Sequence, residues 1–359
     1  MYIILAILLL AVLIVVHEFG HFMAARLMKI DVTEFSVGFG PKLAGWNSKK
    51  YDTKFSVRAV PLGGFCGFYG EDDPEGKMKE DPRAFAKQNV WKRMFVILMG
   101  PVMNFVLAFV VAVVFFWCAG NRVPTGEIDP FIAEVKASGP AQRAGLKDGD
   151  IITEINGVNM LDGTTETLLK TISDWREGDE PLRATVKRKG EENPVEVSLT
   201  PEWNKEDEKY QISVTISGRY RTVIQPVGFL EGFGLAWDSC VYYSGVLVDV
   251  LKKLVTTGEG FDQTMGPVGI IAEVSEQAQQ NGPGIIIDFL ILLSINLGIM
   301  NLLPIPGLDG SRLVFGIVEA VRGKAVPPEK EAIVHIAGMV LLFGLMIFIT
   351  YRDVARLFH

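Results

Sequence analysis

Apolar residues in this chain do not follow the short alternation of a soluble core along its whole length. They gather in four uninterrupted runs. No Asp, Glu, Lys or Arg occurs in Met1–Val16, Met94–Asn121, Phe289–Leu308 or Ala332–Tyr351, which are 16, 28, 20 and 20 residues long. A helix rising about 1.5 Å per residue needs about 20 residues to cross roughly 30 Å of bilayer hydrocarbon. The last three runs therefore span unaided, and the first spans if it continues through His17 to Ala25. Transmembrane helices are expected at 1–27, 94–120, 283–322 and 332–352, the last two joined by a short loop at 323–331.

Between the first two spans the period changes. Residues 31–68 alternate in twos, as in Asp31–Val37 and Lys54–Val60, and are punctuated by Gly38, Gly40, Gly63 and Gly64. Region 28–93 is thus predicted to hold strand hairpins. Their aromatic residues Phe39, Trp46, Phe65, Phe68 and Tyr69 suit a sheet at the membrane interface, where non-helical backbone survives if protein or water satisfies it. Region 121–222 mixes short strands (Arg183–Lys189, Val195–Thr200, Gln211–Ser217) with one helix, Thr164–Trp175, and reads as one domain outside the bilayer. Region 223–282 contains a stretch, 228–257, that is apolar yet carries Glu231, Asp238 and Asp249. That is too acidic for a lipid-facing span, so an amphipathic helix lying on the membrane is expected.

Composition changes this picture only by exclusion. With 359 residues, 49% apolar, and four charge-free runs, a purely soluble enzyme, a disordered chain and a collagen-like fibre are ruled out. Cys66, Cys118 and Cys240 make neither a disulfide framework nor a CxxC pair. No repeat, basic patch or phosphate-cradling glycine loop points to nucleic acid. The N-terminal run lacks a basic leader and a small-residue cleavage site, so it is read as an anchor.

Charge gives the orientation. Residues 26–93 hold 13 Lys/Arg and 9 Asp/Glu, whereas residues 122–288 hold 16 and 27. Arg26, Lys29, Lys42, Lys87, Lys92 and Arg93 crowd the first loop, which is therefore placed in the cytoplasm, as is the connection with Arg322, Lys324 and Lys330. The acidic 122–288 region and both termini then lie outside, although Arg352 and Arg356 run mildly against this.

The first span ends in His17-Glu18-Phe19-Gly20-His21. Positions i and i+4 share a helix face, so two imidazoles can bind one zinc while the carboxylate between them stays off the metal. Such a glutamate can take a proton from a water that zinc has acidified and return it to a leaving amine, which is the chemistry of peptide hydrolysis. A His-Glu-His set inside a span is costly unless it faces a cavity and has a task. A catalytic zinc wants a third protein ligand. His335 and His359 are the remaining histidines, but Asp309 in Asn301-Leu-Leu-Pro304-Ile-Pro306-Gly-Leu-Asp309-Gly310 is the better candidate. His17 sits about 24 Å along a helix entering from outside, and Asp309 closes a 20-residue run crossing the same way. Pro304 and Pro306 remove backbone donors where a ligand must turn inward. In the second span, Gly100-Pro101-Val-Met-Asn104 sets an amide level with the metal. Asn104 is read either as a donor to substrate backbone or oxyanion, or as polar glue between helices.

These residues resemble the site-2 protease family of intramembrane zinc metalloproteases, and within it the bacterial regulator of sigma-E protease branch. HExxH at 17–21, GFGP at 38–41, GPxxN at 100–104, GPVGI at 266–270 and NLLPxPxLDG at 301–310 stand in the family's order. The resemblance implies zinc ligands His17, His21 and Asp309 around one Zn2+ per chain, catalytic Glu18, and supporting roles for Asn301, Pro304 and Pro306. It also implies that Gly38, Phe39 and Gly40 belong to a membrane-associated hairpin that presents substrate. Pairing with a strand edge would hold a helical substrate extended. Ser138–Gly157 resembles a PDZ signature, with Gly145, Leu146, Gly149 and Asp150 in its loop, and only one such block fits.

The fold class expected is a polytopic α-helical membrane protein with four transmembrane helices, a membrane-associated β-hairpin region and an extracytoplasmic PDZ-like α+β domain. By resemblance it would be a metalloendopeptidase of a bacterial cytoplasmic membrane, active toward the cytoplasmic side. Expected partners are the lipid bilayer and single-pass substrates such as anti-sigma factors and remnant signal peptides, cut after an upstream site-1 protease. A non-proteolytic PDZ scaffold or chaperone with a structural metal is the alternative, against which Glu18 speaks, because a structural site needs only ligands. A zinc transporter would need histidines or acids spread over several spans.

Overall fold

The computed structural model describes residues 2–71, 81–136, 138–160, 165–188, 190–191, 193–204, 209–261 and 264–357. His359 lies outside them, as do Thr164 and Lys189 at the ends of two expected elements. In chain order the elements are α1 (Tyr2–Met28), β1 (Val32–Ser48), β2 (Thr53–Phe68), α2 (Val90–Ala119), β3 (Asn121–Val135), α3 (Pro140–Arg143), β4 (Ile151–Ile155), β5 (Val158–Asn159), α4 (Thr165–Ser173), β6 (Leu182–Lys187), β7 (Val195–Leu199), β8 (Glu202–Asn204), β9 (Lys209–Gln211), β10 (Val214–Gln225), α5 (Phe229–Thr256), α6 (Pro267–Asn281), α7 (Ile285–Leu302), α8 (Asp309–Arg322) and α9 (Pro328–Leu357). They form two compact units: Met1–Cys118 with Gly228–His359, and Ala119–Val227.

Among the described residues of the first unit, four helices are long and apolar enough to cross a membrane: Tyr2–Met28, Val90–Ala119, Ile285–Leu302 and Lys330–Arg356. α1 and α2 meet where side chains are smallest. A β-carbon on Gly20 would collide with the Met99 carbonyl, and one on Gly100 with the His21 ring. Such small residues let helix backbones approach where lipid offers no hydrophobic drive.

β1 and β2 are long and irregular. Residues 34–37 pair on one side with 64–67 and on the other with 54–57, while 44–48 pair with 53–57. Ser36 and Ser56 are buried within this sheet, where Ser56 Oγ donates to Ser36 Oγ and Arg58 donates to Ser36 and Glu34. Phe22 of α1 packs edge-on against Phe35 and Phe55, anchoring the sheet to the helix.

The 283–322 region, expected as one span, is two helices. α7 stops at Leu302, two residues before Pro304, whose missing N–H and ring forbid another turn. The chain bends through residues 303–308 and restarts, so that Asp309 opens α8 instead of closing α7. Gly310 makes the bend tight, since a β-carbon there would strike the carbonyls of Leu302 and Leu303. Region 223–282 likewise holds two helices, α5 and α6. The N-terminus of α6 is capped from far along the chain: buried Asp353 accepts from the backbone N–H groups of Gly266 and Gly269, both at 2.9 Å.

The second unit is a mixed one. Its main sheet runs β10-β3-β4-β6-β7, with β5 beside β4 and a separate β8–β9 pair. Ile132, Ile152, Ile155, Leu168, Trp175 and Leu199 fill its core. Strand β3 was not foreseen, because Pro124, Gly126 and Pro130 look like turn chemistry. It pairs along its length with β10, whereas its ladder with β4 is short, in register at Phe131 and Ile151. Among the described residues its other edge is mostly unpaired, where proline is tolerated.

Candidate metal centre

α1 carries His17 and His21 one turn apart on its buried face, and α8 brings Asp309 against them from its first residue. His17 Nε2 lies 3.1 Å and His21 Nε2 3.3 Å from Asp309 Oδ2, and the two imidazole nitrogens are 3.2 Å apart. These three form the one metal-competent cluster among the described residues. Glu18 is outside it. His335, the other candidate third ligand, is elsewhere: its Nδ1 accepts from the Gly307 N–H at 3.3 Å.

The donor set fits a zinc ion on two counts. Three lone-pair atoms converge with edges of 3.1, 3.3 and 3.2 Å, and ligand atoms at tetrahedral corners with bonds of about 2.0 Å lie about 3.3 Å apart. Asp309 Oδ2 is also buried and satisfies no hydrogen bond among the described residues. A buried carboxylate oxygen facing two ring nitrogens is costly without a cation. The tautomer of His21 agrees, because its Nδ1–H donates to the Val96 carbonyl of α2 at 2.9 Å, which leaves Nε2 free to ligate.

Glu18 points to a different neighbour. The backbone N–H of Cys66 lies beside its carboxylate, and Gly64 is so close that a β-carbon there would meet the Glu18 side chain and Ile14. Strand β2, and not the Gly38-Phe39-Gly40 stretch of β1, is what reaches Glu18. Gly38 and Gly40 have φ of +88° and +82°, which glycine adopts without strain, and Phe39 between them is exposed.

The loop carrying Asp309 is held from α9. A β-carbon on Gly338 would collide with Pro306, and His335 takes the Gly307 amide. Ser311 Oγ donates to the Leu308 carbonyl at 2.8 Å, closing the start of α8. Asn301 sits half-buried in the last turn of α7, and Pro304 is exposed in the bend. Asn104 is wholly buried, with its amide against His17, not turned to open space.

In the second unit, the expected PDZ loop is tied into the fold. Leu146 lies in the core, Gly145 and Gly149 take φ of +85° and +84°, and Asp150 is 1% exposed. Its carboxylate accepts from Arg188 Nε and Nη2, each at 2.8 Å, and from the Lys147 N–H at 3.0 Å. Arg188 was not singled out in the sequence, since one arginine on a strand end carries no signal.

A family model described as peptidase family M50 matches residues 5–345. The chain is similar to the regulator of sigma-W protease of Bacillus subtilis, 32% identical with 96% of this chain and 96% of that protein covered. It is similar to a candidate zinc metalloprotease of Nostoc, 35% identical over 98% and 95% of the two chains. A candidate chloroplast membrane metalloprotease of Arabidopsis thaliana is 34% identical over 97% and 78%. Among solved structures, the PDZ domain of an SdrC-like protein from Listeria monocytogenes is 23% identical, covers 27% of this chain and 93% of its own, and gives a TM-score of 0.21.

Proposed function

The chain belongs to peptidase family M50, the site-2 protease family, and is a metalloprotease; from that premise we propose that it cuts single-pass membrane proteins inside the bilayer. The observation that carries this is the convergence of His17, His21 and Asp309 beside Glu18, on a helix apolar enough to span. One zinc ion held by those three residues would polarise the scissile carbonyl and acidify a water molecule. Every other task falls to the chain. Glu18 takes the proton from the attacking water as its oxygen bonds to the scissile carbonyl carbon, and then delivers that proton to the leaving amine nitrogen as the C–N bond breaks. The Cys66 N–H holds the carboxylate in place for both transfers.

Substrate classes follow from the relatives. The Bacillus protein's name ties it to sigma-W regulation, which supports anti-sigma factors as substrates here, with remnant signal peptides as a second class. Both would arrive after a site-1 protease has removed their outer domains. The second unit, PDZ-like in its sequence signature, would stand outside the cytoplasmic membrane and admit only trimmed substrates. The Gly38–Gly40 stretch of β1, with Phe39 and Gly40 exposed, and the strands around it would present the unwound segment.

The test is cleavage of a single-span reporter lacking its outer domain, in membranes holding wild-type protein or Glu18→Gln, with bound zinc quantified. Wild type is expected to cut and to hold one zinc per chain. Glu18→Gln should keep the zinc and lose the cut by a factor of 100 or more, the scale of general acid–base catalysis. Equal cutting by both proteins would sink the role of Glu18. 1,10-Phenanthroline should abolish cutting, and added zinc restore it.

A further inference from the structure

Resting on the metalloprotease assignment, we propose that Asn104 is a positioning residue for the metal ligand His17, its side-chain oxygen accepting the hydrogen on His17 Nδ1. Asn104 is 0% exposed on α2. Its backbone carbonyl accepts from Ser294 Oγ of α7 at 2.7 Å, which fixes its place between the two helices. Its amide nitrogen faces His17 Nδ1 at 3.1 Å, and its Oδ1 is buried with no partner among the described residues.

That orientation conflicts with ligation. An Asn N–H pointing at Nδ1 needs a lone pair there, which puts the ring hydrogen on Nε2, the atom facing Asp309 and His21. A ligating Nε2 needs the opposite tautomer, with hydrogen on Nδ1 and an acceptor opposite it. A half turn of the amide exchanges nitrogen and oxygen while leaving every other atom in place. One orientation leaves Oδ1 unmet and the other leaves Nδ2 unmet, so internal hydrogen bonding does not choose between them. The metal does. With Oδ1 toward the ring, His17 is oriented by Asn104 as His21 is by the Val96 carbonyl at 2.9 Å. α2 then sets the outer nitrogen of both imidazoles, from positions two turns apart on one face. The sequence offered this amide either as a donor to substrate backbone or oxyanion or as polar glue between helices, and its burial against His17, with Ser294 on its carbonyl, speaks for a role on the metal side.

The experiment measures zinc affinity of the full chain in detergent by chelator competition, for wild type, Asn104→Leu and Asn104→Asp, with thermal unfolding of the zinc-free proteins alongside. Asn104→Leu keeps shape and removes the acceptor, so zinc should bind 10- to 100-fold more weakly, the usual effect of removing such a partner. Asn104→Asp keeps the acceptor and should bind zinc at least as tightly as wild type. Unchanged affinity in Asn104→Leu overturns the proposal, and so does an Asn104→Asp protein that melts like wild type yet binds as weakly as Asn104→Leu. If Asn104→Leu fails to fold, the His17 Nδ1–H proton resonance of the zinc-bound protein decides. It should move downfield in Asn104→Asp, where a carboxylate replaces the amide, and no movement overturns the proposal. A wild-type chain that takes up no zinc would sink the metalloprotease assignment itself, before any variant is compared.

Discussion

Gly100 shows how single atoms set this site. The hydrogen it carries faces the His21 imidazole, and any β-carbon would occupy the ring's place. Gly100→Ala should therefore displace His21, a proposed zinc ligand, weakening zinc binding about tenfold or more, and should cost about 1–3 kcal/mol as an overpacked contact. Gly20→Ala presses instead on the Met99 carbonyl, a backbone atom with no rotamer to yield. It should lower the melting temperature more than Gly100→Ala does while affecting zinc less, which chelator competition and thermal unfolding measure side by side. The site was legible in part for the same reason of scale. His17, Glu18 and His21 declare themselves by helical spacing, and Asp309 by the prolines that turn it inward. The atoms that orient them, the Val96 carbonyl and the Cys66 amide, belong to the backbone, and no residue type announces them.

At the scale of elements, the end of α9 holds the start of α6. Asp353 is 3% exposed and accepts from the free N–H groups at Gly266 and Gly269, the ends of the GPVG motif. A β-carbon on either glycine would run into that carboxylate, so the motif is shaped for its cap. Next to it Arg352 donates to the Phe261 carbonyl at 3.0 Å and lies over the Phe261 ring. A carboxylate at a helix N-terminus is worth about 0.5–2 kcal/mol through its hydrogen bonds and the helix dipole. Asp353→Ala should destabilise α6 by that amount, read as faster amide hydrogen exchange over 267–281 with α2 unaffected. Uniform loss of protection across the protein would mean that α6 has no separate stability. None of this was visible in the sequence, because an Asp 84 residues beyond Gly269 has no periodicity to mark it. Helices α1, α2 and α9 were legible because charge-free runs of 16, 28 and 20 residues are a strong, local signal. β3 and the break between α7 and α8 were not, since both depend on what the chain packs against.

For the whole molecule, the metal cluster constrains how the chain threads the membrane. His17 and His21 lie in the second half of α1, and Asp309 lies beyond the C-terminal end of α7. Both ends can meet at one depth only if α1 and α7 cross in the same sense. Between them an odd number of crossings is required, and α2 alone supplies one. If α5, with Glu231, Asp238 and Asp249, also crossed, α7 would run the opposite way and carry Asp309 to the far face. The cluster requires only that α1 and α7 run in the same sense, as the expected topology has them; the Lys/Arg excess of the 26–93 loop is what would set which side that loop faces. The expected outcome is specific for a chain whose Cys66, Cys118 and Cys240 are replaced by alanine and which then receives one new cysteine. Lys170→Cys should react with a membrane-impermeant maleimide in intact cells, whereas Lys87→Cys and Lys324→Cys should react only after the membrane is opened. Labelling of Lys324→Cys from outside, with Lys87→Cys protected, would show α5 to be a span and would part Asp309 from the two histidines. Zinc retained in that same preparation would then have to be held by other residues.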